Sequence, residues 1–211
     1  LAPPFQLAGL SSEGNPRGEE PTLSRSRGFE GMAISADGER LYPLLEGEVE
    51  DSEPGLNIYS FDIKNQRFLN KHANQPSYRY RLDEGATAIG DFTMFSNTGG
   101  LVIERDSGEN KKARLKRIYK VDFRHLDAEG YLLKTEVADL LNIQDPHDLD
   151  HDGNTLFRFP FWTIEGLVVI DRKTLGVVND NNYPLGQARD DTGKRPDNNE
   201  FILIEVQPLW D

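Results

Sequence analysis

The chain has 211 residues, with 36 acidic against 24 basic side chains and a net charge of −12. That balance argues against a nucleic-acid partner, which needs a broad basic face, and the absence of cysteine excludes disulfides and thiolate metal sites. No apolar run approaches the roughly 18 residues of a membrane-spanning helix, so no membrane insertion is expected, and the length suits one domain with a substantial core.

Residues 1–28 are rich in Pro, Gly, Ser and charge and read mostly as loop, with one candidate strand at 5–10. The chain begins at Leu1 without a visible signal peptide, which fits a processed or truncated N-terminus. From Phe29 onward the pattern is all-β. Strands are predicted over 29–35, 40–46, 56–63 and 77–82, then 88–95, 100–105, 115–123 and 131–138, then 162–170, 174–179 and 200–206. Turn signals separate them at Ala36-Asp37-Gly38, Asn97-Thr98-Gly99-Gly100 and Asp127-Ala128-Glu129-Gly130. Residues 137–141 are also compatible with a short helical turn.

These strands fall into three units that begin about 60 and 75 residues apart, somewhat longer than common propeller repeats. The expectation is a β-propeller of which about three four-stranded blades are visible. Closure takes at least about four blades, so the chain reads as the C-terminal part of a longer domain. The third unit lacks a fourth strand, which residues 5–10 or a segment outside this chain could supply. An open array of three sheets or a sandwich is the alternative. Unpaired sheet edges would favour self-association.

Each unit opens on an acidic residue in a short apolar strand and closes its next strand on a second polar cluster. The first is Phe29-Glu30-Gly31 with Leu44-Leu45-Glu46. The second is Ile89-Gly90-Asp91 with Ile103-Glu104-Arg105-Asp106. The third is Ile164-Glu165-Gly166 with Val178-Asn179-Asp180-Asn181. In an antiparallel hairpin the start of one strand lies beside the end of the next, so each unit brings its two clusters together. Around an axis, Glu30, Glu46, Asp91, Glu104, Asp106, Glu165 and Asp180 would meet at one mouth, with amide oxygens from Asn179 and Asn181. Crowded carboxylates repel unless a cation neutralises them, and calcium takes six to eight such oxygens. Taken singly, each acid could instead cap a turn or pair with an arginine. Arg105 points away from its two acidic neighbours and could hold a phosphate with its planar fork, or form a structural ion pair. Arg27 is a weaker candidate of the same kind.

Asp148-Leu149-Asp150-His151-Asp152-Gly153-Asn154 resembles the first half of a calcium loop, although the twelfth position is Phe159 rather than glutamate. An acidic surface turn is the other reading of Asp148, Asp150 and Asp152. His72, His125, His147 and His151 show no zinc-type spacing beyond the lone His147-x3-His151 pair, which reads as incidental in a loop. Ser11, Ser12, Ser24 and Ser26 have no partner base in view. Residues 111–117 read as a solvated basic loop entering a strand, and Tyr78-Arg79-Tyr80-Arg81 as an edge strand. The aromatic segment Phe157-Arg158-Phe159-Pro160-Phe161-Trp162 reads as packing between blades rather than a ligand platform.

The opening stretch from Arg27-Gly28-Phe29-Glu30-Gly31-Met32 to Ala36-Asp37-Gly38 resembles the start of the phytase-like domain, also called esterase-like activity of phytase. Ile89-Gly90-Asp91, Leu101-Val102-Ile103-Glu104-Arg105-Asp106 and Lys116-Arg117-Ile118-Tyr119 are similar to its middle, and Ile164-Glu165-Gly166-Leu167 with Val178-Asn179-Asp180-Asn181-Asn182 to its end. The match runs in order from about residue 25 to 206. The resemblance implies a β-propeller, an exported (secreted or periplasmic) bacterial protein and an esterase or phosphoesterase activity. On this reading the chain is a calcium-dependent hydrolase of a small phosphate ester. Glu104 and Asp106 would act in catalysis, Arg105 and Arg27 in substrate binding, and the mouth acids and amides in holding calcium. A non-catalytic calcium-binding propeller that binds a protein or glycan, and a sugar-lactone hydrolase, are the alternatives.

Overall fold

The computed structural model describes residues 22–23, 26–50, 52–69, 75–189 and 195–210. The candidate strand at 5–10, together with Ser11, Ser12, Ser24 and His72, lies outside the described residues. The fold is all-β. Its strands are β1 (Phe29–Ile34), β2 (Arg40–Leu45), β3 (Leu56–Ile58), β4 (Phe61–Asp62), β5 (Arg67–Phe68), β6 (Tyr78–Tyr80), β7 (Ala88–Met94), β8 (Gly99–Arg105), β9 (Lys116–Leu126), β10 (Leu132–Asp139), β11 (Ile143–Gln144), β12 (Leu156–Phe157), β13 (Thr163–Asp171), β14 (Thr174–Asp180) and β15 (Phe201–Glu205). Among the described residues the one helical element is a 3-10 turn at Asn110–Lys112, and no helix is long and apolar enough to cross a membrane.

The strands form antiparallel sheets that follow the three sequence units. In the first, β1 pairs with β2, β2 with both β3 and β4, β3 with β6 and β4 with β5. The single strand predicted over 56–63 is therefore broken at Tyr59 and Ser60. There the Tyr59 N–H reaches the Pro43 carbonyl at 3.0 Å, and the Ser60 N–H reaches Ser77 Oγ at 3.0 Å. The second sheet is β10-β9-β8-β7 and the third β13-β14-β15. Residues 137–139 continue β10, and only 140 and 141 turn. The short hairpin β11-β12, which the sequence pattern did not signal, brackets the acidic loop at 148–154.

Contacts divide the chain into two compact units. The first is Leu1–Leu82, Phe92–Gly100 and Val121–Leu133; the second is Asp83–Asp91, Leu101–Lys120 and Lys134–Asp211. In the first, Leu23, Leu45 and Tyr59 pack with Phe29, Val49 and Phe68. Phe123 lies against Tyr42 and Tyr78, with ring centroids 4.9 and 4.6 Å away. In the second, Leu101, Val102 and Ile103 of β8 are fully buried, as are Leu175 and Val177 of β14. Phe159 and Phe161 are buried edge to face, while Trp162 at the end of the same segment is exposed.

Two glycines set the approach of one repeat's first strand to the next. Within the first unit, a Cβ on Gly31 of β1 would fall 2.6 Å from Phe92 Cβ of β7. Within the second, a Cβ on Gly90 of β7 would fall 1.8 Å from the Ile164 carbonyl oxygen of β13. Only a residue without a side chain allows backbones this close.

The third sheet carries exposed apolar side chains, Val168, Ile170, Phe201 and Leu203. Gly176 lies in line with Val168 on β13 and Leu203 on β15.

Candidate functional site

The acidic residue that opens the first and the third repeat is placed by a break in strand register. In β1 the pairing jumps between Phe29 opposite Leu45 and Gly31 opposite Leu44, so Glu30 is an extra residue. In β13 it jumps between Ile164 opposite Asn179 and Gly166 opposite Val178, so Glu165 is the extra residue. A bulge interrupts strand alternation and re-aims the side chain it carries. The repeated Glu-Gly pair in the sequence is therefore a repeated bulge.

In the first unit, Glu30 is exposed and Glu46 is buried. Arg27 Nη1 stands 3.4 Å from Glu46 Oε1, and the Glu46 N–H donates to the Gly28 carbonyl at 2.8 Å. The opening and closing clusters of the first repeat thus adjoin, with Arg27 balancing the buried carboxylate.

In the second unit, polar groups of the second and third repeats come together. Asp91 Oδ2 accepts the Leu167 N–H at 2.7 Å, which stitches β7 to β13. Arg105 Nη2 lies 3.6 Å from Glu165 Oε1, and Arg105 is itself buried. Asp106 Oδ2 accepts the Arg114 N–H at 2.7 Å. Lys116 is completely buried. Its ammonium donates to the Asp106 carbonyl at 2.8 Å and the Trp162 carbonyl at 3.1 Å, and stands 2.9 Å from Asp106 Oδ1 in an ion-pair contact. Burial pulls the Lys116 ammonium below its ordinary range, and Asp106 works against that. Residues 111–117 are thus not one solvated run: Lys111, Lys112 and Arg114 are exposed, while Lys116 is a core ammonium holding the end of β8.

Glu104 is fully buried, and both its oxygens have partners. Oε2 accepts the Asp83 N–H at 2.9 Å, and Oε1 meets the Lys134 ammonium. Lys134 also lies 2.7 Å from Asp83 Oδ1 and sits over the Tyr119 ring, 4.4 Å from its centroid. The Tyr119 hydroxyl donates to Asp83 Oδ2. Burial works to raise the Asp83 carboxyl, but the bonds from Lys134 and Tyr119 outweigh it and hold the group below the usual carboxylate range. Burial pushes the Tyr119 hydroxyl up. Asp83, Tyr119 and Lys134 lie outside the repeated clusters, and no local spacing links them to Glu104.

On β14, Asn179 is buried. Its amide donates to Asp197 Oδ2, and its Oδ1 accepts the Glu200 N–H at 2.7 Å. The Asn181 amide donates to the Asp197 carbonyl at 3.2 Å, and its Oδ1 accepts the Tyr183 N–H at 3.1 Å. Asp180 is exposed and accepts the Asn182 N–H at 3.2 Å. These groups hold the loop after β14 to buried Asp197, which no spacing pattern signalled.

The loop between β11 and β12 carries the group of three acidic ligands found among the described residues. Donor oxygens of Asp148, Asp150 and Asp152 all lie within 4.8 Å of one another. Asp148 and His151 adopt positive φ of 50° and 59°. Asp148 Oδ1 accepts the Gly153 N–H at 3.1 Å, and Asp152 Oδ1 accepts the Asn154 N–H at 2.8 Å. Bonds from Asn154 hold the Asp152 carboxyl low. Arg189 Nη1 reaches Asp150 Oδ2 at 2.8 Å and its Nε reaches Glu200 Oε2 at 2.6 Å, with the guanidinium over Phe157. Three carboxylates at alternate positions of a tight loop are a donor set suited to a hard divalent cation.

These observations define an antiparallel all-β protein built from sequence repeats, with bulged glutamates and buried charge pairs where strands begin and end. The family described as phytase-like, esterase-like activity of phytase, matches residues 6–183, and the chain belongs to that family. No curated protein and no solved structure matches the chain.

Proposed function

We propose that the chain hydrolyses phosphate esters on a propeller-type scaffold, at the sheet end where β7 and β13 begin and β8 ends. The observation that carries this reading is the family match over residues 6–183, which spans every repeated cluster up to Asn181. The close approach of Gly90 to Ile164 and the Arg105–Glu165 pair support it, because they join polar ends of successive repeats as a propeller would.

In this reading Arg105 receives the phosphate. Its guanidinium is buried, fixed against Glu165, and matches a phosphate's oxygens bidentately. Glu165 and Asp91 line the same strand ends; Asp106 takes a proton from water as the water oxygen bonds to phosphorus, and the ester P–O bond breaks to release the alcohol, its oxygen protonated from solvent. Lys116 and the Arg114 N–H hold the Asp106 carboxylate in place. Glu104 acts at one remove, its network with Asp83 and Lys134 setting the end of β8. Asp180 with the two asparagines supplies the equivalent edge of the third repeat.

Calcium is part of this reading, and Asp148, Asp150 and Asp152 are the donor set that would hold it. The expected exported location belongs to the same reading.

The test is hydrolysis of p-nitrophenyl phosphate by the full chain, with calcium and after chelation. We expect turnover with calcium, and at least a tenfold loss of kcat/KM in Arg105→Lys, because a point charge replaces a planar fork. A calcium-induced rise in Tm without turnover on any ester would instead favour a binding propeller. Turnover on lactones alone would favour a lactonase.

A further inference from the structure

The chain is strongly acidic, yet six of its 24 basic residues fall between positions 105 and 117. Three of these are absorbed by the fold: Arg105 by Glu165, Lys116 by Asp106, and Arg117 by Asp83, Glu136 and Asp139 at 3.5 to 3.9 Å. The other three, Lys111, Lys112 and Arg114, are exposed, and among the described residues no carboxylate lies in ion-pair range of them. They sit on the connection that leaves the end of β8, directly after Arg105 and Asp106.

That connection is held in shape. The Asn110 N–H donates to the Pro160 carbonyl at 2.8 Å, the Lys112 N–H to Glu109 at 2.9 Å, and the Asp106 N–H to Leu115 at 2.9 Å. The Arg114 N–H binds Asp106 Oδ2, and its guanidinium folds back to the Lys111 carbonyl at 2.7 Å. A Cβ on Gly108 would fall 2.5 Å from the Lys112 carbonyl oxygen, so the two arms of the loop are in close contact. Three cations without an ion-pair partner among the described residues, against the one carboxylate of Glu109 on the same loop, leave a local positive excess in a molecule whose net charge is negative, and such a field selects and steers anions.

We infer that Lys111, Lys112 and Arg114 are specificity-determining residues that draw an anionic ester to the end of β8 in preference to a neutral one. The inference rests on the esterase reading for its catalytic consequence, but not for its binding consequence. Arg105 sits at the start of this connection and would take the arriving phosphate. The loop cations act earlier, on encounter, so their contribution falls with added salt.

Binding of inorganic phosphate is measured by calorimetry at low ionic strength for the parent chain, the triple variant Lys111→Gln/Lys112→Gln/Arg114→Gln, and the pair Lys111→Gln/Lys112→Gln, which leaves Arg114 and its backbone contacts intact. The Kd should weaken roughly tenfold in the triple variant and severalfold in the pair, with the difference closing near 0.5 M salt. In parallel, the ratio of kcat/KM on p-nitrophenyl phosphate to that on p-nitrophenyl acetate should fall by a similar factor. An unchanged Kd in both variants, or a parent chain that binds no phosphate, overturns the inference. Absence of turnover on both esters removes the esterase reading and leaves the phosphate titration to decide this one.

Discussion

Replacing Lys116 by methionine probes whether a buried charge pair holds the end of β8. The ammonium is completely buried and serves two carbonyl oxygens, Asp106 at 2.8 Å and Trp162 at 3.1 Å, besides its 2.9 Å contact with the Asp106 carboxylate. Methionine fills a similar volume but donates nothing, so both carbonyls and one carboxylate oxygen lose their partner. Removing one member of a buried pair costs roughly 3 to 5 kcal/mol, because the other charge stays desolvated. In urea, with m of about 3 kcal/mol/M, the unfolding midpoint should drop by about 1 M or more. Asp106→Asn in the same background removes the stranded charge while an amide oxygen can still accept the Arg114 N–H, so part of the loss should return. The coupling between the two substitutions should be roughly 2 kcal/mol or more. There is also a pH consequence. A lysine whose folded pKa lies below its unfolded 10.5 binds more protons unfolded across that interval. Stability should therefore rise with pH between the lowered value and 10.5, and this rise should vanish in Lys116→Met. A midpoint shift under about 0.3 M, or a coupling near zero, would refute the reasoning.

Gly90→Ala should destabilise by at least roughly 3 kcal/mol, since its Cβ would overlap the Ile164 carbonyl, whereas Gly28→Ala, with open space at that Cβ, should shift Tm far less. Equal melting temperatures for the two would remove the close approach of β7 to β13. Asp83 has a depressed folded pKa, so its contribution is present above the unfolded value of 3.8 and is lost as pH falls through the folded one. Asp83→Asn should therefore flatten the acid limb of the stability curve below that value, and an unchanged acid limb would count against the network with Lys134 and Tyr119. Calcium at about 100 times its Kd should stabilise the chain by roughly 2.7 kcal/mol, seen as a Tm rise of a few degrees. That rise should disappear in Asp148→Asn/Asp150→Asn/Asp152→Asn, and its persistence there would move the cation to another set of oxygens.

Strand positions were legible because alternation and turn chemistry act over a few residues. Asp37, for example, accepts the Ser35 hydroxyl at 2.6 Å and the Glu39 N–H at 3.0 Å, and so closes the turn its sequence announces. The repeated acidic openings were equally plain as a pattern. What that pattern could not carry was which acid meets which base. Glu104 and Asp106 look alike on a strand end, two positions apart, yet one is sealed against Lys134 and Asp83 while the other is tied to Lys116. Lys116 looked like part of a wet basic run, because nothing local distinguishes it from Lys111 or Lys112. Its burial depends on the Trp162 carbonyl, 46 residues away.

The sequence by itself determined an acidic all-β chain with three related units, their strand boundaries within a residue or two at most ends, and the family to which they belong. These follow from local steric and hydrophobic preferences, which act at the scale of one strand and one turn. Only the tertiary structure decided that Glu30 and Glu165 sit on bulges, that Gly90 admits the Ile164 carbonyl, and that the basic run divides into one buried ammonium and an exposed cationic loop. Register, close approach and desolvation are properties of two segments at once, and neither segment alone encodes them.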